Sequence, residues 1–229
     1  MNDIVLQKDA THAAKVDALL AKTSEDTEGL LEWIGSSANF IGNFDGNHKT
    51  VSSMYFNSST TSVKGLFYQL YAPAVVTNLT IKDAHITNHG RVGALAGNAC
   101  QGTGRVTVSG VNVLNCFVKS TASESAGGFF GGAFLIGLDM SYCVYDKGQY
   151  GSVAAATAKN HGAIFGIIRD NSGANGRWHN NDDSIVDNEN RGISLRECVI
   201  LGGYTITSCA HFLHNNQSGY AAGVAHDCS

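Results

Sequence analysis

The residues best suited to hold a ligand lie in one polar stretch, residues 169–190, which carries one of the two tryptophans of the chain. A tryptophan can stack on a sugar ring while neighbouring amide and carboxyl groups bond its hydroxyls. The aspartates could instead hold Ca²⁺ through oxygen ligands, although the residue order of an EF-hand is absent. A third interpretation is a solvated loop without a ligand. The candidate ligand-binding residues are Trp178, His179, Asn181, Asp182, Asp183 and Asp187.

A second group, Cys209, His211 and His214, has the residue types of a zinc site. On a strand, Cys209 and His211 would share one face, whereas His214 would point elsewhere. Neither a paired CxxC nor an HExxH motif accompanies them, and zinc sites usually have such spacing. We therefore predict no metal site and no cofactor.

Aspartates and tyrosines in the middle of the chain could line the groove of a polysaccharide-cleaving enzyme: Asp139, Tyr142, Tyr145, Asp146 and Tyr150. The carboxylate of Asp45, within Phe-Asp-Gly-Asn, is predicted instead to accept backbone N–H groups of its own turn. No GxSxG elbow and no Ser-His-Asp or Cys-His order can be assembled. The chemistry-bearing residues therefore favour a protein that is not an enzyme.

Composition excludes several classes of protein. The 229-residue chain is 43% hydrophobic and 15% charged, with a formal net charge of −4. A disordered chain would combine low hydrophobicity with high net charge, and a nucleic-acid-binding chain would carry a basic stripe. No apolar run approaches the roughly 18–20 residues that cross a bilayer. Residues 1–9 lack the basic start and apolar centre of a signal peptide, so we expect either a protein retained in the cell or an excised piece.

A repeat supplies the scaffold for these groups. Glycines followed by apolar residues recur, and they begin at Gly65, Gly93, Gly128, Gly162 and Gly219. Their spacings are 28, 35, 34 and 57 residues, and without the 22 residues of the polar stretch 169–190 the last becomes 57 − 22 = 35. A period of this length is typical of a solenoid interrupted by an insertion.

The residues before these glycines have the pattern of strands. Apolar and β-branched side chains alternate in residues 76–81, 111–116 and 193–200, as expected for strands with one buried face. Glycine at an inner corner avoids a collision between a Cβ and the next coil. One such unit cannot bury its apolar face alone, whereas stacked units can. We therefore predict an all-β fold, a parallel β-helix or β-solenoid.

The N-terminus is predicted to be helical over residues 9–22, with Asp9 as the N-cap and Val16, Leu19 and Leu20 at helical spacing. A solenoid needs a cover on its open end, so we place this helix over the first coil. The predicted domains are residues 1–32, a helical cap, and residues 33–229, solenoid repeats with an inserted loop at 169–190.

Four of the six cysteines have similar surroundings: Cys116, Cys143, Cys198 and Cys209. We interpret them as small buried hydrophobic residues at equivalent strand positions rather than as disulfide or metal partners.

Three segments, Trp33-Ile34-Gly35, Phe44-Asp45-Gly46-Asn47 and Gly65-Leu66-Phe67, resemble the start of GLUG-motif repeat regions of bacterial secreted or surface proteins. The resemblance covers residues 33–168 well and residues 193–224 loosely. It departs from the family pattern at Tyr68, where a glycine is usual, and in lacking a proline after Trp33. It implies a parallel β-solenoid in a secreted or surface-attached protein, used as a stalk or adhesive module.

Our first hypothesis is a non-enzymatic β-solenoid module of a bacterial or phage surface protein. Such a module would act as an adhesive or structural element and recognise an extended glycan or a protein. The alternative is a polysaccharide-cleaving β-helix, a lyase or hydrolase. We expect no nucleic-acid partner and no membrane span, and the sequence leaves the oligomeric state open.

Overall fold

The computed structural model describes residues 2–35, 37–100, 104–122, 125–134, 137–156, 161–169 and 192–201. Within these ranges it has one helix, α1 (Ala10–Leu20), and a succession of short strands. The strands are β1 (Ile4–Val5), β2 (Asn39–Phe40), β3 (Asn43–Ser52), β4 (Tyr55–Asn57), β5 (Val63–Lys64), β6 (Phe67–Tyr71), β7 (Val75–Lys82), β8 (His85–Asn88), β9 (Arg91–Gly93), β10 (Ala96–Cys100), β11 (Arg105–Leu114), β12 (Phe117–Ser120), β13 (Ala126–Gly127), β14 (Phe130–Phe134), β15 (Gly137–Ser141), β16 (Val144–Asp146), β17 (Ser152–Ala155), β18 (His161–Gly162), β19 (Phe165–Arg169), β20 (Gly192–Arg196) and β21 (Val199–Leu201).

The strands form four parallel sheets that run along a stack of coils. Sheet 1 contains β1, β3, β7, β11, then β15 with β16, and then β20 with β21. Sheet 2 has the order β2-β6-β10-β14-β19, sheet 3 the order β4-β8-β12-β17, and sheet 4 the order β5-β9-β13-β18. Each coil passes through sheets 2, 1, 3 and 4 in turn, so that β2–β5 form the first coil and β6–β9 the second. The fold is a β-solenoid of about four turns.

Residues with left-handed backbone geometry bend sheet 1 at the same point in successive coils. Their φ angles lie between 52° and 63°, and they are His48, Asn78, Gly110, Tyr142 and Glu197. Since this conformation interrupts the regular alternation of a strand, the inward-facing positions shift by one residue at each corner. In β11, for example, Val106 and Val108 are buried before the corner, and Val111 and Val113 are buried after it.

The core consists of ladders of inward side chains that touch from coil to coil. Ile81, Val113 and Tyr145 are register partners, and each is at most 1% exposed. Glycine is required where the backbone of one coil approaches that of the next. A Cβ on Gly93 would lie 2.4 Å from two backbone carbonyl oxygens, one of them in the following coil. This crowding confirms the packing reason for the glycine repeat.

Two elements near the N-terminus pack against the first two coils. Strand β1 pairs with β3 and adds an outer strand to sheet 1. Helix α1 begins after Asp9, whose carboxylate accepts a hydrogen bond from the backbone N–H of His12 at 2.9 Å. Its residues Val16 and Leu20 are buried, and its main strand contact is with β8 of the second coil. The predicted helix is present, and it lies against the second coil, whereas β1 covers part of the first.

The predicted all-β solenoid with an N-terminal helix is therefore confirmed. The domain limits at residues 32 and 33 stay predictions. Apart from Arg169, the predicted insertion at residues 169–190 lies outside the described residues. The stack continues after it, because Gly192 of β20 pairs with Gly137 of β15.

Candidate functional site

A cavity of about 420 Å³ opens beside β4 and β5 in the first coil. Its other side is formed by residues 32–35, which precede that coil. Glu32 extends sheet 3 by pairing with β4, and the indole N–H of Trp33 donates to the backbone carbonyls of Gly65 and Leu66 at 3.1 and 3.2 Å. These contacts hold the segment against the first coil. The cavity has the size of a small-molecule site, for which about 300–1,000 Å³ is usual.

Lys64 occupies a position that the next two coils fill with apolar side chains. In sheet 4, Lys64 pairs with Val92, and Val92 pairs with Ala126. Both of these neighbours are completely buried, and Lys64 itself is only 7% exposed. Lysine is almost never buried to this extent unless its charge is paired. A packing role alone does not account for a lysine at this position.

The surroundings of the Lys64 ammonium leave its charge only partly compensated. Its Nζ donates to the backbone carbonyl of Ile34 and lies 4.0 Å from the centroid of the Phe56 ring. Glu32 favours the charged form, but no carboxylate of the described residues forms an ion pair with Lys64. Burial therefore lowers the pKa of Lys64 to about 8. An ammonium group has three N–H donors, and the hydrogen bond to the Ile34 carbonyl uses one of them.

Hydroxyl and amide groups complete the lining of the cavity. The hydroxyls of Ser58 and Thr61 are 2.9 Å apart, and the backbone N–H of Thr61 donates to the Ser58 hydroxyl at 3.2 Å, so their turn holds both in place. Asn57 and Tyr68 add an amide and a phenol to the wall. Glu32 is the one carboxylate among the described lining residues, so the pair of carboxylates that glycoside hydrolysis requires is not assembled there.

Asp45 has the structural role that the sequence predicts. Its Oδ1 accepts hydrogen bonds from the backbone N–H of Asn47 at 2.8 Å and from Nδ2 of Asn78 at 3.1 Å. The first bond closes an Asx turn, and the second connects two coils. The bond from the Asn47 N–H, followed by that from Asn78, lowers the pKa of Asp45.

The residues of the predicted catalytic groove do not form one site. Tyr145 is buried, and Asp139 and Asp146 make separate hydrogen bonds. Tyr145 is 1% exposed and belongs to the core, because the inward positions shift at the corner residue Tyr142. Asp139 lies at the surface, where its two carboxylate oxygens accept hydrogen bonds of 2.7 and 2.8 Å from Arg105. Asp146 accepts a backbone N–H of its own turn at 2.8 Å. Tyr142 is exposed, and so is the last member of the predicted groove, Tyr150.

The described cysteines of the repeated pattern are buried as predicted, but they are not all at equivalent positions. Cys143 and Cys198 share one ladder position, whereas Cys116 lies at a different corner of its coil. Cys116, Cys143 and Cys198 are 1%, 2% and 6% exposed, and all three are free thiols. Each directly follows a left-handed corner residue, and each Sγ donates to the carbonyl two residues earlier. Cys209 lies outside the described residues.

Several sequence-predicted residues also lie outside the described part of the chain. They are Trp178, His179, Asn181, Asp182, Asp183 and Asp187 of the polar stretch, together with His211 and His214. Their ligand-binding role stays a prediction. Among the residues that the structure describes, no three histidine, cysteine, aspartate or glutamate side chains converge to hold a metal ion. In the same ranges, no helix has the length and apolar character of a membrane span.

Comparisons with known proteins give one short similarity. The chain is 38% identical over 58 residues to Halomucin from Haloquadratum walsbyi, a match that covers 25% of this chain and 1% of Halomucin. The chain thus spans about one hundredth of the length of that relative. No family model matches the chain, so the GLUG resemblance stays an expectation. No solved structure matches it significantly.

The sequence interpretation missed Lys64, although a signal for it exists. When the coils are aligned on Gly65 and Gly93, Lys64 falls where Val92 stands. A charged residue at an apolar position of a repeat is the pattern that would have identified it.

Proposed function

We propose that this chain is a non-enzymatic binding module of a bacterial or phage surface protein, and that the cavity beside Lys64 holds a carboxylate-bearing sugar of a glycan. The observation that carries the proposal is the Lys64 ammonium. It is buried and has no ion-pair partner among the described residues, at a ladder position that Val92 and Ala126 occupy in the next coils. A carboxylate of the ligand would supply the counter-ion that the described residues do not provide.

The other groups of the cavity support a sugar rather than a simple anion. The hydroxyls of Ser58 and Thr61 and the amide of Asn57 can exchange hydrogen bonds with sugar hydroxyls. The partly exposed Tyr68 ring offers apolar surface for the C–H face of a sugar ring. Glu32 would accept a hydrogen bond from a sugar hydroxyl, and it would disfavour a ligand that carries several negative charges.

The fold supports a stalk or adhesive role in a larger surface protein. A solenoid is a rigid rod whose length grows with the number of coils, and it presents its side faces to extended partners. The resemblance to GLUG-motif regions supports a surface location. The polar stretch around Trp178 remains a second candidate for glycan contact on sequence grounds.

A glycan screen with matched variants tests the proposal. Wild type, Lys64→Met, Lys119→Met and Trp178→Ala would be tested on glycans that end in a uronic or sialic acid and on the same glycans after the carboxyl group is reduced to an alcohol. Lys119 is an exposed lysine of β12 and serves as the control for loss of positive charge. We expect wild type and Lys119→Met to prefer the acidic glycans by about tenfold or more, since a hydrogen bond to a charged group contributes about 1.5–3 kcal/mol.

Lys64→Met should lose this preference. Equal binding of acidic and reduced glycans by wild type, or an unchanged preference in Lys64→Met, would refute the assignment of the cavity. If acidic peptides bind and glycans do not, the ligand is a protein. If Trp178→Ala alone loses binding, the polar stretch is the site and the cavity is not.

A further inference from the structure

Two buried thiols lie one above the other on neighbouring coils. Ser141 pairs with Arg196 before the corner, and Val144 pairs with Val199 after it. Cys143 and Cys198 directly precede Val144 and Val199, so they occupy the same ladder position on neighbouring coils. The backbone N–H of Val199 also donates to the carbonyl of Cys143 at 2.9 Å. Each thiol lies close enough to the other to shift its pKa.

We infer that Cys143 and Cys198 are the two halves of a disulfide that links the fourth coil to the strands after the long insertion. Register partners on adjacent parallel strands are about 4.8 Å apart. Disulfide-linked residues usually have their Cα atoms about 4.4–6.8 Å apart. The spacing of neighbouring coils therefore falls within the range that a disulfide spans. This inference does not depend on the ligand proposed for the Lys64 cavity.

The chemistry requires an oxidant, and a low-molecular-weight disulfide such as oxidised glutathione supplies it. The Cys198 thiolate attacks one sulfur of that disulfide, which forms a mixed disulfide and releases one thiol. The Cys143 thiolate then attacks the Cys198 sulfur, forms the Cys143–Cys198 bond and releases the second thiol. The two protein thiols lose two protons and two electrons, and the oxidant is reduced to two thiols.

The environment assigns Cys198 as the attacking thiol. It is the more exposed of the two, at 6% against 2%, and it lies close to the exposed corner residue Glu197. The adjacent Cys143 thiol lowers the pKa of Cys198, because it can donate its S–H to the Cys198 thiolate once that thiolate forms. The same contact, together with burial, raises the pKa of Cys143.

A disulfide at this position would attach β20 and β21 to the fourth coil. Residues 170–191, between β19 and β20, lie outside the described part of the chain, and β20 after them pairs with β15. A covalent link at Cys198 would fix the strands that follow these residues to the coil beneath them. Closing so long a loop restricts the unfolded chain more than closing a short one.

The neighbouring cysteine offers an internal control. Phe117 pairs with His85 and Ser152, so the ladder neighbours of Cys116 are Ala84 and Gly151, which carry no sulfur. Cys116 is as buried as Cys143 and makes the same hydrogen bond to the carbonyl two residues earlier. It should therefore stay reduced under conditions that oxidise the pair.

Peptide mapping of the folded 229-residue chain tests the inference. Trypsin leaves Cys198 on one peptide with Cys209 and Cys228, so the experiment uses the Cys209→Ser/Cys228→Ser variant, in which Cys198 is the only thiol of that peptide. The protein is incubated with oxidised glutathione, unfolded, alkylated and digested without reduction. We expect a cross-linked pair of peptides that contains Cys143 and Cys198 and is lighter by two hydrogen atoms, while Cys116 is alkylated.

A stability measurement adds a second readout. The oxidised form should unfold at a higher urea concentration than the reduced form, and the Cys143→Ala variant should show no such difference. Two alkylated thiols, a glutathione adduct that persists on Cys198, or a link from either residue to Cys116 or Cys100 would each overturn the inference.

Discussion

Replacing Lys64 with methionine should make the folded chain more stable at neutral pH. Burial lowers the pKa of Lys64 from 10.5 to about 8, with only partial opposition from Glu32. Since one pKa unit corresponds to about 1.36 kcal/mol, the folded state is less stable by about 3 kcal/mol when it carries this charge. Methionine has a similar length and keeps an apolar contact with the Phe56 ring, so the charge is the main quantity that changes.

The pH dependence follows from the direction of the shift. Below about pH 8, Lys64 is protonated in both the folded and the unfolded chain, so the full cost of burying the charge is present. Between about 8 and 10.5 the unfolded chain binds the additional proton, and the free energy of unfolding of wild type therefore rises with pH. Above 10.5 the residue is neutral in both states. The advantage of Lys64→Met should thus fall from about 3 kcal/mol at neutral pH to near zero.

Urea unfolding followed by circular dichroism measures this advantage. Wild type, Lys64→Met and Lys119→Met would be compared at intervals from neutral pH to above 10.5. The difference between each variant and wild type removes the contribution of the tyrosines and other lysines that titrate in the same range. Lys119 is exposed, so its replacement should change stability by less than about 0.5 kcal/mol at every pH.

Two results would refute this reasoning. If Lys64→Met is less stable than wild type at neutral pH, the bond to the Ile34 carbonyl and the contact with the Phe56 ring outweigh the cost of burying the charge. If Lys64→Met is more stable by an amount that does not change with pH, the gain comes from packing and not from the charge. A gain in stability together with a loss of acidic-glycan binding would show that the lysine is kept for function, because functional residues often reduce stability.

Two further changes test the coil packing and the enzymatic alternative. Gly93→Ala should lower the free energy of unfolding by about 3 kcal/mol or more, because the added Cβ would lie 2.4 Å from two backbone oxygens. The control Gly42→Ala, whose Cβ would lie 3.6 Å from the Phe40 ring, should change stability by less than about 0.5 kcal/mol. Equal urea midpoints for the two variants would contradict the packing argument. Asp139→Asn should lower the free energy of unfolding by about 1 kcal/mol or less, because the ion pair between Asp139 and Arg105 is partly exposed. No polysaccharide-degrading activity should depend on Asp139. An activity of wild type that this change abolishes would overturn the binding-module proposal.

The architecture could be predicted because a solenoid repeats its constraints along the sequence. Each coil needs inward apolar residues on alternate positions and a glycine where backbones meet, so the period is visible without knowledge of the contacts. The role of Asp45 could also be predicted, because its main hydrogen bond is to a residue two positions away. These features depend on near neighbours in the sequence.

The features that could not be predicted depend on register between coils. Tyr145 is predicted to line a groove from its residue type and its neighbours, whereas its burial depends on the corner at Tyr142, where the inward positions shift by one. The contact between Cys143 and Cys198 joins residues that are far apart in the sequence, and only the pairing of β15 with β20 aligns them. Lys64 looks ordinary beside Gly65, and it becomes unusual only when Val92 and Ala126 are identified as its ladder neighbours.

The location of the cavity at the first coil has a physical reason. An inner coil of a solenoid is covered on both sides by coils of similar shape, so a side chain within its ladders has no space for a ligand. Among the described residues, the first coil differs because residues 32–35 cover β4 and β5 in place of a complete coil. A ladder position that faces such a cover can carry a lysine and open onto a cavity, as Lys64 does. A lysine in place of Val92 would bury an ammonium group between two coils without space for a counter-ion. Burying an unpaired charge there would cost far more than it does at position 64, which opens onto the cavity.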